Sequence, residues 1–221
     1  QIAQYQVKAD IISGSARTVK LGLWRNTDIL VKGLTYLANI TPSYTGAGSG
    51  SSTNVLQDNQ FTISVGTLRV GRSNTVSATN ITTGTGQVIG GFEFEVKGEP
   101  IIITALTLTV ASTTSGTIIE DAGQAFKLVD AAGTTVAGPT DITNNALTVA
   151  FTDTFTAPVG INHYKVVGTL ATNGGWASND TINVSINTPA SAITAKGETT
   201  GQSVTPTPSA NTSGSTQTVK A

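Results

Sequence analysis

The chain has 221 residues, with 24 Gly, 7 Pro, no Cys, no Met and only 11% charged side chains. With 12 basic against 13 acidic residues there is no cationic surplus to follow a phosphate backbone, which excludes nucleic-acid binding. The lack of Cys excludes a disulfide framework, Cys-ligated zinc and a thiol nucleophile, and a single His, His163, leaves little for a multi-His metal site.

Thr makes up roughly a sixth of the chain, a load that favours strands over helices. The first residues, Gln1 to Tyr5, have neither a basic nor an apolar leader character, so any signal peptide is expected to be gone already or to lie far upstream. No apolar run approaches the length of a membrane span, so no membrane insertion is expected of this segment. Alternation begins at once: Tyr5, Val7, Ala9 and Ile11 predict a strand to Ile12, and Val19, Leu21 and Leu23 predict a second. Phe61, Ile63 and Val65 alternate with Thr62 and Ser64. The stretch Gly84-Thr85-Gly86-Gln87-Val88-Ile89-Gly90 spaces its glycines one residue too widely for a dinucleotide fingerprint and reads as a turn. Phe92, Phe94 and Val96 then alternate with Glu93, Glu95 and Lys97, the cleanest period-2 run in the chain. Leu106, Leu108 and Val110 follow, then Leu147, Val149 and Phe151. Turn chemistry separates these runs at Ala131-Ala132-Gly133, Gly138-Pro139, Asn144-Asn145, Ala157-Pro158-Val159-Gly160 and Asn173-Gly174-Gly175. No segment keeps a 3.6-residue apolar period. The predicted fold is all-β, an antiparallel Ig-like β-sandwich with one buried and one solvated face per sheet.

The chain also repeats itself. Lys32-Gly33 recurs as Lys196-Gly197 and Thr41-Pro42 as Thr205-Pro206, both at an offset of 164. Ile29 and Ile193, Ile40 and Val204, and Val55 and Val219 keep that offset. Tyr5-Gln6-Val7-Lys8 matches Tyr164-Lys165-Val166-Val167 at 159, which places an insertion of five residues in the loop from Thr172 to Ser178. On this reading residues 1–56 are the last part of a preceding unit plus a linker, and residues 57–221 are a complete unit. That unit is expected to end in a Pro/Ser/Thr-rich linker from Thr205 to Ser215. The chain then reads as a window from a tandem array.

The order Gly66-Thr67-Leu68-Arg69-Val70, Gly91-Phe92-Glu93-Phe94, Glu99-Pro100-Ile101 and Ala105-Leu106-Thr107-Leu108 resembles the tandem Ig-like modules of long bacterial cell-surface proteins, of the S-layer-like, stalk or fibre kind. The segments Phe126-Lys127-Leu128-Val129-Asp130 and Ala157-Pro158-Val159-Gly160 extend the likeness over the whole chain. It implies a structural, extracellular role at the cell surface and carries over no catalytic residue.

The search for chemistry finds little. There is no GxSxG and no P-loop, and a serine triad would have to use His163, at the start of a strand. Glu93 and Glu95 share a strand face opposite three apolar residues, which makes them a solvated pair. No catalytic residue, no cofactor and no enzymatic activity is expected. Structural calcium is the one ligand considered, with Asp58 and Asn59 at the predicted junction and Asp121 beside Glu120 as candidates; Asp130 and Asp141 also lie in predicted loops, and ordinary turn acids are the alternative reading for the whole set. Sequons at Asn39, Asn80, Asn179, Asn183 and Asn211 follow from a Thr- and Asn-rich composition.

Two classes of function fit this sequence. The first is a non-catalytic repeat of a surface layer, sheath or fibre that packs against copies of itself. The second is an adhesin or carbohydrate-binding module whose exposed aromatics stack on a surface glycan. Trp176, in the inserted loop, is its ligand candidate, with Trp24 a weaker one.

Overall fold

The computed structural model describes residues 5–10, 17–23, 28–42, 56–57, 60–113, 123–143, 147–172 and 175–220. The chain divides into two units, one of residues 14–64 and one of residues 1–13 with 65–221.

Among the described residues the smaller unit holds six two-residue strands: β1 (Thr18–Val19), β2 (Gly22–Leu23), β3 (Val31–Lys32), β4 (Asn39–Ile40), β5 (Leu56–Gln57) and β6 (Phe61–Thr62). They form three antiparallel ladders, β1 with β6, β2 with β5 and β3 with β4. Ladders this short bury almost nothing. Val19, Leu21, Leu30, Leu34, Tyr36, Leu37 and Phe61 are all exposed.

Two expectations change here. Residues 57–64 were to open the complete unit, but β5 and β6 pair with β2 and β1, so the boundary falls at Val65. The strand expected from Tyr5 is not formed over residues 5–10, where Tyr5 and Val7 are exposed; Ile11 and Ile12 lie outside the described residues. A strand needs a ladder partner as well as an alternating pattern.

The larger unit is the sandwich. Its strands are β7 (Thr67–Arg72), β8 (Asn80–Ile81), β9 (Gly84–Lys97), β10 (Ile101–Ser112), β11 (Gly123–Val129), β12 (Thr135–Thr140) and β13 (Thr148–Phe151). They continue as β14 (Phe155–Ala157), β15 (Gly160–Leu170), β16 (Thr181–Ile186), β17 (Ile193–Gly197), β18 (Ser203–Val204), β19 (Thr212–Ser213) and β20 (Gln217–Val219). A five-stranded sheet runs β12-β11-β15-β9-β7. The facing sheet runs β18-β17-β10-β16-β20-β8, with β13 and β14 on the other side of β10 and β19 beside β16. All pairs in the two sheets are antiparallel except β20 with β8. The all-β sandwich expected from the alternation is the fold observed.

The core lies where the alternation predicts it. Phe92, Phe94 and Val96 of β9, Leu106, Leu108 and Val110 of β10, and Val149 and Phe151 of β13 are all buried. Tyr164 of β15 packs its ring 5.1 Å from Phe94 and 5.5 Å from Phe155, in tilted and edge-on arrangements. Leu147 departs from its run: it sits in a turn with φ 49° ahead of β13.

The glycine-rich stretch is also reassigned. Gly84 to Gly90 is the first half of β9, not a turn, because β15 pairs with it throughout. Gly84 and Gly86 take positive φ, and register shifts opposite Val166 and Gly168 bend the ladder there. Gly90 faces Val184 of β16 so closely that a Cβ would overlap the Val184 side chain, so glycine is what lets the two sheets meet at this point. Gly138-Pro139, expected in a turn, instead lies in β12, an edge strand where proline costs no central ladder bond.

The largest correction concerns residues 205–215. They are not a linker. Thr207 exchanges backbone hydrogen bonds with β7, donating to Leu68 O at 3.0 Å and accepting from Val70 N at 2.7 Å. Further on, Gln217 is fully buried, and its side chain accepts from Thr79 N and donates to Ser77 O and Ser215 O. Val219 is buried with it. A Pro/Ser/Thr-rich composition reads as a connector only while nothing pairs with it, and here β7 pairs with Thr207 and β16 with Thr212 and Ser213.

Candidate functional site

Among the described residues one serine, histidine and carboxylate come together. Strand pairing sets His163 of β15 opposite Glu93 of β9, and Ser73 Oγ lies 3.0 Å from His163 Nδ1. Glu93 Oε2 approaches that same Nδ1 at 3.9 Å. A catalytic triad needs the hydroxyl and the carboxylate on opposite ring nitrogens. Ser73 is buried as well, and its hydroxyl is shared with Thr75 Oγ1 at 2.8 Å. The group is a polar latch tying the end of β7 to β15. His163 lies near the start of β15, an interior strand of the sheet.

Asp130, Asp141 and Glu95 have structural partners. Asp130 accepts from the amides of Ala132 and Thr134, holding the β11–β12 turn, and Asp141 Oδ1 accepts from Ala125 N at 2.7 Å. Glu95 lies on the solvated face between Lys97 Nζ at 2.6 Å and Arg69 at 3.4 Å, and its carboxyl is held below the usual range first by Lys97 and then by Arg69, against a smaller opposing effect of desolvation. Asp58, Asn59, Asp121 and Glu120 lie outside the described residues, as does Trp24. No group of three or more His, Asp or Glu side chains is arranged to hold a metal ion among the described residues. Nor is any helix among them long and apolar enough to cross a membrane.

Trp176 corrects the glycan expectation. The ring is 8% exposed and belongs to the core, so it offers no open face for a sugar to stack on. Its loop is pinned from below by Asp180 Oδ2, which accepts from Ala177 N at 2.8 Å. The indole Nε1 is buried without a hydrogen-bond partner, a state that costs about 1–3 kcal/mol. Trp176→Phe removes that orphan donor and is expected to change stability by less than about 1 kcal/mol, whereas Trp176→Ala should cost about 3–5 kcal/mol through the cavity it leaves. Thermal unfolding of both variants checks this; equal losses would show that the indole nitrogen is engaged after all.

What the sequence search missed is a buried carboxylate. Glu99 sits between β9 and β10 and is almost fully enclosed. Its Oε2 accepts from Thr199 N and Thr200 N, both at 2.8 Å, and its Oε1 accepts from Thr200 Oγ1 at 2.6 Å and Gly66 N at 3.1 Å. Burial pushes its pKa up, but these hydrogen bonds outweigh burial and hold the carboxyl below its ordinary value of 4.5. A Cβ on Gly197 would overlap the carboxylate, so glycine there makes the cradle. Glu99 therefore clasps the turn of the β17–β18 hairpin to the start of β10, reinforced by Glu198 N donating to Pro100 O at 2.9 Å. The signal was available as Glu99-Pro100 and Thr199-Thr200, but the two pairs are about a hundred residues apart.

The β3–β4 hairpin is the same object without its cover. Val31 pairs with Ile40 and Lys32 with Asn39; adding 164 to each number gives the observed pairs Ala195 with Val204 and Lys196 with Ser203. The turns match bond for bond. Gly33 N donates to Ala38 O and Leu37 N to Gly33 O, as Gly197 N donates to Gln202 O and Gly201 N to Gly197 O. Leu37 even takes φ 52° where Gly201 has φ 67°. Exposure is what separates them. Ile193 is 3% and Val204 6% exposed, while Ile29 is 40% and Ile40 52%.

No protein-family model matches the chain, and no curated protein matches it. Among solved structures it is similar to self-complemented MyfA, the major subunit of Myf fimbriae from Yersinia enterocolitica. That likeness has 10% identity and a TM-score of 0.25, over 71% of this chain and 98% of the other.

Proposed function

We propose that this chain is a non-catalytic structural module of an extracellular surface layer, sheath or fibre, and that it associates with copies of its own kind. The observation that carries this is the repetition itself: one hairpin, with one register and one set of turn hydrogen bonds, occurs twice at an offset of 164, covered once and uncovered once. A covered and an uncovered copy of one element is what modules joined in series present at their boundary. The chemistry fits the same reading. The Ser73–His163–Glu93 group lacks triad geometry, Asp130 and Asp141 accept from backbone amides, and Glu95 pairs with Lys97 on the sheet surface. The glycan-binding alternative loses its main residue, since Trp176 is in the core.

Antibodies raised against the chain are expected to label intact cells of the source organism, as a continuous layer or along filaments. Labelling that appears only after the cells are permeabilised would overturn the proposal.

A further inference from the structure

The uncovered hairpin has a definite missing partner. In the sandwich, the free side of β17 is filled by β10, with Ile101 opposite Gly197, Ile103 opposite Ala195 and Leu106 opposite Ile193. The turn beyond it receives the Glu99 carboxylate and the Pro100 carbonyl. In the β3–β4 hairpin the corresponding turn residues are Leu34, Thr35 and Tyr36, of which Tyr36 is exposed where its counterpart Thr200 is half-buried. Gly33 sharpens the point. A Cβ built on Gly33 would come no closer than 3.6 Å to Ile40 Cδ1, so nothing described around it requires glycine, whereas at Gly197 the same place is taken by a carboxylate. Among the described residues, none enters the cradle of the first hairpin as Glu99 enters that of the second.

We infer that β3–β4 is the closing hairpin of another sandwich, and that its cover is a strand of the β10 kind. Such a strand enters through Glu-Pro and continues Ile-Ile-Ile, as Glu99-Pro100-Ile101-Ile102-Ile103 does here. We assign that strand to a unit preceding the hairpin on the same polypeptide. Within the sandwich the covering strand comes before its hairpin in the chain, and subtracting the repeat length from Ile101 (101 − 164) places its counterpart ahead of Gln1. A second copy is the poorer source, because its own β10 already carries β17 along Ile101 to Leu106, and donation would require expelling that strand. Tyr5 follows the same logic: it is exposed, while Tyr164, its match at 159, is buried between two phenylalanines. The inference rests on the hairpin geometry and not on the surface location, so labelling of cells and the experiment here fail separately.

The test supplies the missing part from the chain's own sequence. Residues 60–163 are fused directly ahead of Tyr5 of the full chain, so that Tyr5 takes the place of Tyr164. Amide exchange at residues 29–40 is expected to slow by about a hundredfold or more relative to the unfused chain, approaching the rates at residues 193–204. Glu99→Ala placed only in the added segment should return the amides of Thr35 and Tyr36 to fast exchange while leaving Thr199 and Thr200 protected. A second variant guards against misfolding of the fusion: residues 193–204 are replaced by residues 29–40 within the original chain. That chimera is expected to unfold cooperatively, because the register and turn already match. An uncooperative chimera, or a folded fusion with residues 29–40 still exchanging freely, would overturn the inference. Protection of residues 29–40 in the unfused chain, appearing only as concentration rises and together with dimer formation, would overturn the assignment to the same polypeptide in favour of a second copy.

Discussion

Removing residues 205–221 is expected to abolish the cooperative unfolding of the sandwich. The deletion exposes Val204, takes away the buried Val219, and leaves Thr79 N without the Gln217 acceptor. It also strips the outer edge of β7 of its bonds to Thr207 and removes β20, the strand between β8 and β16. Summed over lost burial and unpaired backbone groups, the damage is on the order of 5–10 kcal/mol. A domain of this kind has about 5–15 kcal/mol in total. Circular dichroism should show no sharp thermal transition for the truncated chain. A melt within a few degrees of the full chain would restore the linker reading of this segment.

Glu99→Ala is expected to destabilise the sandwich by about 3 kcal/mol, since it leaves the amides of Gly66, Thr199 and Thr200 facing an emptied, enclosed space. For a domain of this size that corresponds to a fall in Tm of roughly 6–12 °C. The pH dependence follows from the direction of the shift. Glu99 is more acidic folded than unfolded, so its contribution is fully present above its ordinary value of 4.5. That contribution is lost as pH falls through the lower, folded value. Stability measured over roughly pH 2 to 6 should therefore fall at the acid end. Glu99→Gln, which cannot ionise, should flatten that limb while lowering the plateau at neutral pH. An acid limb of unchanged depth in Glu99→Gln would mean that other carboxylates set it.

The repeat was legible because it is a property of residue identity: Lys32-Gly33 against Lys196-Gly197 and Ile40 against Val204 set the offset of 164, and the structure then forms a hairpin of one register at both places. Much of the core was legible too, since a strand with one buried face writes its period of two into the residues, as Phe92, Phe94 and Val96 do. The candidate site was only half legible. Residues of the clasp belong to segments remote in the chain, and nothing local marks Glu99 as different from the half-buried Glu93 or Glu95.

Alternation, turn chemistry and self-similarity therefore determined from sequence alone that this is a Thr-rich all-β sandwich whose residues recur at an offset of 164. Only the tertiary structure decided the rest. It drew Thr207, Gln217 and Val219 into the sheets, because a segment without a period of its own takes the conformation its neighbours' unpaired backbone groups impose. It put Trp176 inside, because a loop aromatic goes to whichever side buries more of its surface. And it left Ile29 and Ile40 exposed while burying Ile193 and Val204, since burial depends on the strands lying alongside, which for Ile193 include β10.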